Sequence, residues 1–352
     1  MSETESVDQN LYVVTVLVPA RNEADVLADC LRSITAQSES GFELGVHWQV
    51  LVIDDDSEDN TLEIAGAIPG VTVLRAPKLE KRQHGFTGKN NALWFGANHA
   101  YAHASKWLLF TDADTLHEPN SLHHAITEAE RHSLALLSYS AKQLTTGLLQ
   151  RALMPLIFSE LASTYPPKKI ADPKSPVAAA NGQYLLVNRE VYFEMGGHQA
   201  VADRVLEDVA LARLVKRRYA IKLRYAGEAV STRMYRSTEA FIEGWTKNLA
   251  ILFGNPLLLA ANRLLDFFLL LGLPVLLFAW PHLVSWQMVA IVLLWLRVLL
   301  RYYNRISRSN FPLVDCGLSV FVLPLFSLLL VRSWQKVTIQ KEVTWKGREY
   351  RT

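Results

Sequence analysis

In the stretch FTDADTLHEP, residues 110–119, a hydrophobic approach ends on two carboxylates one residue apart, Asp112 and Asp114. Like charges that close repel, so a folded chain keeps the pair when a cation lies between them, or when both simply reach water in a solvated turn. Other acids recur in comparable places. Glu23 follows the apolar run LYVVTVLVPA, and Asp54 and Asp55 end WQVLVIDDDS. Glu207 and Asp208 open RVLEDVALARLVKRR, in which Leu206, Val209, Ala210 and Leu214 are spaced to face a core. An acid there can take a proton from a reacting hydroxyl. It can also do no more than complement the positive end of a helix.

Gathering these acids requires strands that end on one edge. LYVVTVLVPA is a β-branched run suited to a buried strand, and RNEADVLADCLRSITAQ follows with Val26, Leu27, Leu31 and Ile34 at helical spacing. WQVLVIDDDS repeats the arrangement, with a helix expected from Asp59. VTVLRA and WLLFTDAD supply two more strands, and GKNNALWFGANHAYAHA between them reads as a helix. Strands alternating with helices predict an α/β fold with a mostly parallel sheet covered on both faces. Ligands of such sheets lie beyond the carboxyl ends of the strands, where the acidic tips fall.

At 352 residues, 50% of them hydrophobic, the chain exceeds one ordinary domain. Its mean hydropathy of +0.10 is high for a wholly soluble protein. The apolar excess concentrates in LLDFFLLLGLPVLLFAW, LVSWQMVAIVLLWLRVLL and LVDCGLSVFVLPLFSLLLV. Each is near the roughly 20 residues that cross a bilayer. The expected organisation is a disordered lead over 1–10, a catalytic-sized domain over 11–253, a membrane region over 254–332 with spans near 264–281, 283–300 and 313–331, and a basic tail over 333–352. Arg263 and Asp266 interrupt the start of the first span and are expected to pair.

Charge and cysteine usage narrow the class further. A net charge of +2 gives no reason to expect a nucleic-acid partner. Arg297, Arg301, Arg305 and Arg308 flank the second span, and Arg332, Lys336, Lys341, Lys346, Arg348 and Arg351 follow the third. Such clusters favour the cytoplasmic side, so a multi-pass protein of the cell (inner) membrane with a cytoplasmic soluble domain is expected. Three full crossings would put the two basic clusters on opposite faces; Pro324 breaks the third segment, which leaves a re-entrant alternative open. Cys30 and Cys316 fall in different regions and suggest no disulfide framework. The acidic, polar MSETESVDQN does not read as a secretory signal. GLLQRALMPLIFSELAS carries a stripe of Leu149, Leu153, Leu156, Ile157 and Leu161, suited either to the bilayer surface or to a buried core helix.

TVLVPARNEADVL, VLVIDDDSEDNT, GFTGKNNAL, LLFTDADT, NGQYLLVNREVYFEMGG and VLEDVALARLVKRR occur in one order over roughly residues 11–250. In that order they resemble the inverting family 2 glycosyltransferases of the GT-A fold, a Rossmann-like, mixed and mostly parallel sheet with helices on both faces. Within that family the chain is similar to membrane-anchored enzymes that glycosylate lipids, the hopene-associated and carotenoid glycosyltransferases and, more distantly, ceramide glucosyltransferases. ADPKSPVAAANGQ, TRMYRSTEAFIEGWTKN and TWKGREY support that subgroup. EGWTKN stands where many processive relatives carry Q-x-x-R-W, a departure that points to transfer of one or a few sugars.

The resemblance implies metal-dependent, single-displacement transfer from a nucleotide sugar, with a UDP-sugar expected, to a membrane lipid hydroxyl of hopanoid, carotenoid or sphingolipid type. It implies Mg²⁺ or Mn²⁺, which neutralises a diphosphate leaving group through oxygen ligands. Asp114 is the expected metal ligand, with Asp112 nearer the ribose and reaching the metal through water. Pro19, Ala20 and Glu23, together with Asp54 or Asp55, are implied at the nucleotide base, and Lys89 reaches toward the nucleotide. Asp208 is the base by the same resemblance, and Glu207 either orients it or hydrogen-bonds the donor sugar. Gly182 lets the backbone approach a ligand and Gln183 is a candidate for reading the sugar, although a tight turn before YLLV explains both. Trp245 and Lys247 either cover the donor or, for Trp245, anchor an interface. Asp56 departs from the glycine common at its turn, and His84 and His198 read as surface hydrogen-bonding residues. A polyprenyl-phosphate acceptor, a nucleotidyltransferase and an inactive nucleotide-binding scaffold are the alternatives.

Overall fold

The computed structural model describes residues 12–78, 87–99, 102, 105–280, 282–340, 342–345 and 348–351, with side chains as far as Gln340. The polar lead, His84, Gly85, Lys341 and Lys346 therefore lie outside the described residues. The chain divides into two compact units, Met1–Leu144 with Pro167–Arg233, and Thr145–Pro166 with Met234–Thr352.

In chain order the first unit opens with strand β1 (Tyr12–Ala20), helix α1 (Leu27–Thr35), β2 (Trp48–Asp54), α2 (Thr61–Gly66) and β3 (Val71–Arg75). It continues with α3 (Gly88–Asn98), β4 (Ser105–Phe110), β5 (Thr115–His117), α4 (Ser121–Arg131), β6 (Leu136–Ser140) and β7 (Lys142–Gln143). Helix α5 (Gly147–Thr164) belongs to the second unit. The first unit then resumes with α6 (Pro167–Ala171), β8 (Leu185–Asn188), α7 (Arg189–Glu194), α8 (Glu207–Lys216), β9 (Ile221–Tyr225) and β10 (Val230–Thr232).

Seven strands form one sheet in the order β3-β2-β1-β4-β8-β6-β9, and β5-β10-β7 form a small second sheet. In the large sheet only β8 runs antiparallel to its neighbours. Val14, Val16, Leu17 and Val18 of β1 are wholly buried, as a strand covered on both faces requires. The register sets Ala20 beside Asp54 and Leu17 beside Phe110, so β1 and β2 end level and β4 ends three residues earlier at the same edge. Strand order reverses between β1 and β4, which opens the crevice where ligands of such sheets bind. Because β8 is reversed, its entry, just after Gly182, lies at that same edge.

Several expected elements are shorter than their sequence patterns. The second helix starts at Thr61, whose N–H donates to Asp59 Oδ1 at 3.0 Å, and the third ends at Asn98. The buried face of α8 is Glu207, Val209, Leu211, Ala212 and Val215, not Leu206, Ala210 and Leu214. The cause is the acid pair: Glu207 is turned inward, which fixes the rotation of the whole helix.

The second unit contains α5, α9 (Thr238–Leu252), α10 (Pro256–Ala279), α11 (Ser285–Ile306), α12 (Leu313–Leu318) and α13 (Leu323–Trp334). Three helical stretches, Pro256–Ala279, Ser285–Ser309 and Leu313–Gln340, are long and apolar enough to cross a membrane. The third is broken by a 3-10 turn over Ser319–Val322, and Pro324 stands in the first turn of α13, where its missing N–H costs nothing. Leu153, Leu156 and Ile157 of α5 are buried in this unit's core, so the stripe packs within the protein. Arg263 and Asp266 pair as expected, at 2.6 Å. Asp266 also pairs with Arg301, and Glu160 with Arg305 at 3.1 Å and Arg263 at 3.5 Å.

Candidate active site

At the sheet edge, Pro19, Lys89, Asp112, Gly182, Glu207 and Asp208 line one cavity, together with Thr111 and His198. Lys89 enters from the first turn of α3, which Thr87 caps by accepting the N–H of Asn90 at 3.2 Å. Its Nζ lies 2.7 Å from Asp112 Oδ1 and 2.8 Å from Glu207 Oε1. Burial works against this ammonium, but the two carboxylates outweigh it and hold its pKa well above the ordinary value. The positive charge that the sequence pattern demands beside Asp112 is thus supplied, in this state, by Lys89.

Glu207 and Asp208 start α8, and their environments push them apart. Burial would raise Glu207, yet the charge and hydrogen bond of Lys89 prevail and lower it. Asp208 is raised to about 7, by burial first and then by the negative charge of Glu207, against Lys89 and two backbone N–H groups. Those donors are Gly182 at 2.8 Å to Oδ2 and Val209 at 2.7 Å to Oδ1. Two adjacent carboxyls with opposed shifts mark one as a fixed anion and the other as a group able to take a proton near neutrality. A Cβ on Gly182 would come within 3.1 Å of Lys89 Nζ and 3.6 Å of Asp208 Oδ2, so the glycine keeps room between the base and the cation.

The remaining strand tips stand beside this cavity in the same sheet. Asp55 N–H donates to Ala20 O at 2.9 Å, and Arg21 Nη1 donates to Asp55 O at 3.0 Å. Asp55 is raised to about 6, by burial first, with Asp54 and Asp56 adding to it and Arg21 opposing. Asp54 accepts the N–H of Ser57, and Glu23 N–H donates to Thr61 Oγ1 at 2.9 Å. Asp56 adopts φ +62°, the left-handed conformation that a glycine supplies freely and that aspartate tolerates. The Asp114 carbonyl accepts from Thr232 Oγ1 at 3.1 Å. The buried Cys30 thiol is pushed up by burial and then by Asp114, with Asp112 and Glu23 contributing, which makes those three acids neighbours of one side chain.

The expectation for His198 needs revision, and Gln183, Trp245 and Lys247 are placed as follows. Gln183 is buried and does not line the cavity; its Oε1 accepts from Gln143 Nε2 at 3.2 Å and Asn181 Nδ2 at 3.1 Å, so it braces the loop before β8. Trp245 and Lys247 belong to the second unit, where Trp245 is packed against Phe158 and Tyr235. His198 is not a surface residue. It is 1% exposed, bonded to the Tyr192 hydroxyl, lowered by burial to about 4 and therefore neutral. Asn90 is the residue the motifs did not reveal: its Nδ2 donates to the carbonyls of Val201, Ala202 and Arg204 at 3.0, 2.9 and 3.2 Å, tying Lys89 to the segment that leads into Glu207.

The sheet order and its acidic edge are those of the GT-A fold. A mannosyltransferase from Pyrobaculum calidifontis, solved with GDP-Man and Mn²⁺, shares the fold with a TM-score of 0.54 at 16% identity, covering 95% of this chain and 89% of its own. The model of the family Glycosyl transferase family 2 matches residues 15–194, and the chain belongs to that family. It is 26% identical to the 4,4'-diaponeurosporenoate glycosyltransferase of Staphylococcus aureus strain N315, over 99% of this chain and 91% of that protein. The enzyme of the same name from Staphylococcus haemolyticus is 28% identical over 68% of this chain and 61% of its own length.

Proposed function

We propose that this glycosyltransferase moves a sugar from a nucleotide-sugar donor, with a UDP-sugar expected, to a hydroxyl of a membrane lipid, inverting the anomeric carbon. The observation that carries the reading is the pairing of a proton-accepting Asp208 with a cation-held Glu207 and Asp112 in one cavity at the strand ends. Pro19, Ala20, Glu23, Asp54 and Asp55 bind the nucleoside. Lys89 exchanges Asp112 for the donor's diphosphate, and Glu207 keeps it oriented. Asp208 removes the acceptor's proton as the hydroxyl attacks, and no covalent intermediate is needed.

Asp112 and Asp114 are the residues to hold a divalent cation. Among the described residues no three His, Cys, Asp or Glu side chains are close enough to cage an ion. Two carboxylates therefore fit an ion that takes its other ligands from phosphate and water, as Mg²⁺ and Mn²⁺ do. An ion held by Asp112 and Asp114 would supply positive charge to the departing diphosphate.

The lipid character of the acceptor rests on the relatives' names, which print a diaponeurosporenoate, and on the three long apolar helices, whereas the hydroxyl as the attacking group rests on the need for a base at Asp208. Residues 11–253 form the catalytic domain in this reading, and the basic residues flanking the apolar helices keep it on the cytoplasmic side of the cell membrane. Mass spectrometry of membrane lipids, with and without the enzyme and with several sugar nucleotides supplied, tests it. A new hexosyl lipid dependent on Asp208 is expected. Glycosylation confined to soluble acceptors would reject the lipid reading.

A further inference from the structure

Within the second unit a cavity of about 370 Å³ opens between α9 and the end of α13. Glu239, Ile242, Glu243 and Thr246 recur at three- and four-residue spacing, so they share one face of α9. Arg332 and Lys336, four residues apart, line the other wall. The two helices are joined beside it, where Ala250 N–H donates to Ser333 Oγ at 2.8 Å. Thr246 is 2% exposed, and its Oγ1 has no hydrogen-bond partner among the described residues. Buried hydroxyls are nearly always bonded, so this one marks a position where a ligand atom completes the wall.

Arg332 and Lys336 lie near the end of Leu313–Gln340, a stretch long and apolar enough to cross a bilayer, so the cavity falls at headgroup depth. Two cations there suit a phosphate. Two carboxylates opposite them would repel a headgroup that is only negative and attract an ammonium.

We propose that this cavity binds the headgroup of a zwitterionic phospholipid, with phosphate held by Arg332 and Lys336, ammonium by Glu239 and Glu243, and a phosphate or ester oxygen bonded to Thr246. This lipid is distinct from the sugar acceptor, and its binding does not depend on sugar transfer.

Native mass spectrometry of the full chain in detergent, titrated with phosphatidylethanolamine or phosphatidylglycerol, tests the assignment. Phosphatidylethanolamine should bind about tenfold more tightly than phosphatidylglycerol. Arg332→Gln with Lys336→Gln should weaken it about tenfold, the loss of charge-assisted bonds. Glu239→Gln with Glu243→Gln should abolish the discrimination. Thr246→Val, which changes one buried hydroxyl at constant shape, should weaken phosphatidylethanolamine severalfold and decides the matter if the basic pair cannot be changed without unfolding. Equal binding of the two lipids by the unaltered chain, binding insensitive to these variants, or displacement by millimolar inorganic phosphate would overturn the proposal.

Discussion

Lys89 holds two acids at once, and the reactivity of the third follows from that arrangement. With Glu207 kept ionised, Asp208 is the group whose proton exchanges near neutrality. A raised carboxyl carries its proton below its pKa and is a base only above it. The proposed kcat/KM therefore rises with pH through about 7 and levels off beyond it. A profile flat from about pH 5 to 8 would return Asp208 to an ordinary carboxylate and contradict its assignment. Lys89→Met removes the cation that opposes proton uptake, so this acid limb should move to higher pH. Donor binding, followed by calorimetry, should weaken at least about tenfold. The strand-tip acids were legible in the sequence because charge at the end of an apolar run is conspicuous, whereas Lys89 and the role of Asp208 came from the family resemblance. Asn90 was not legible, because its partners are brought to it across more than a hundred residues, and the burial of His198 was not, because it depends on packing against Phe110 of a distant strand.

At the scale of elements, one amide on α3 holds the segment that leads into α8. Asn90→Ala would leave carbonyls at Val201, Ala202 and Arg204 without their donor, lowering stability by about 2 kcal/mol in chemical denaturation. Asn90→Asp should restore little, since a carboxylate cannot donate to carbonyls. In the second unit, Asp266→Leu would leave the buried Arg263 with Glu160 alone and remove the partner of Arg301, at a cost of about 3 kcal/mol that thermal unfolding in detergent would register. Strands such as β1 and the Arg263–Asp266 pair could be anticipated from local pattern. The rotation of α8 could not, because apolar spacing alone cannot register that Glu207 is drawn inward to Lys89. The break in the third apolar segment was signalled by Pro324, and it falls just ahead of that residue, over Ser319–Val322.

For the whole molecule, the exposed apolar side chains decide the environment. Leu258, Leu265, Phe268 and Val275 of α10, and Trp286, Val289, Leu293 and Leu300 of α11, are each more than half exposed. Apolar faces of that extent belong against lipid. The chain should remain with membranes through high-salt and alkaline washes and leave them only in detergent; release by salt alone would show attachment through charge. The apolar segments were plain in the sequence, whereas the division into units was not. Residues 145–166 and 234–253 cluster with the apolar helices, because α5 and α9 share their core, while a reading along the chain sets one boundary at 253. The most direct test of the account is Asp208→Asn, assayed in parallel for nucleotide-sugar binding and for labelled-sugar transfer to membrane lipid. Donor affinity should stay within about threefold while transfer falls by about a thousandfold, the scale of a lost general base. Full transfer by Asp208→Asn, or loss of donor binding in step with transfer, would contradict it.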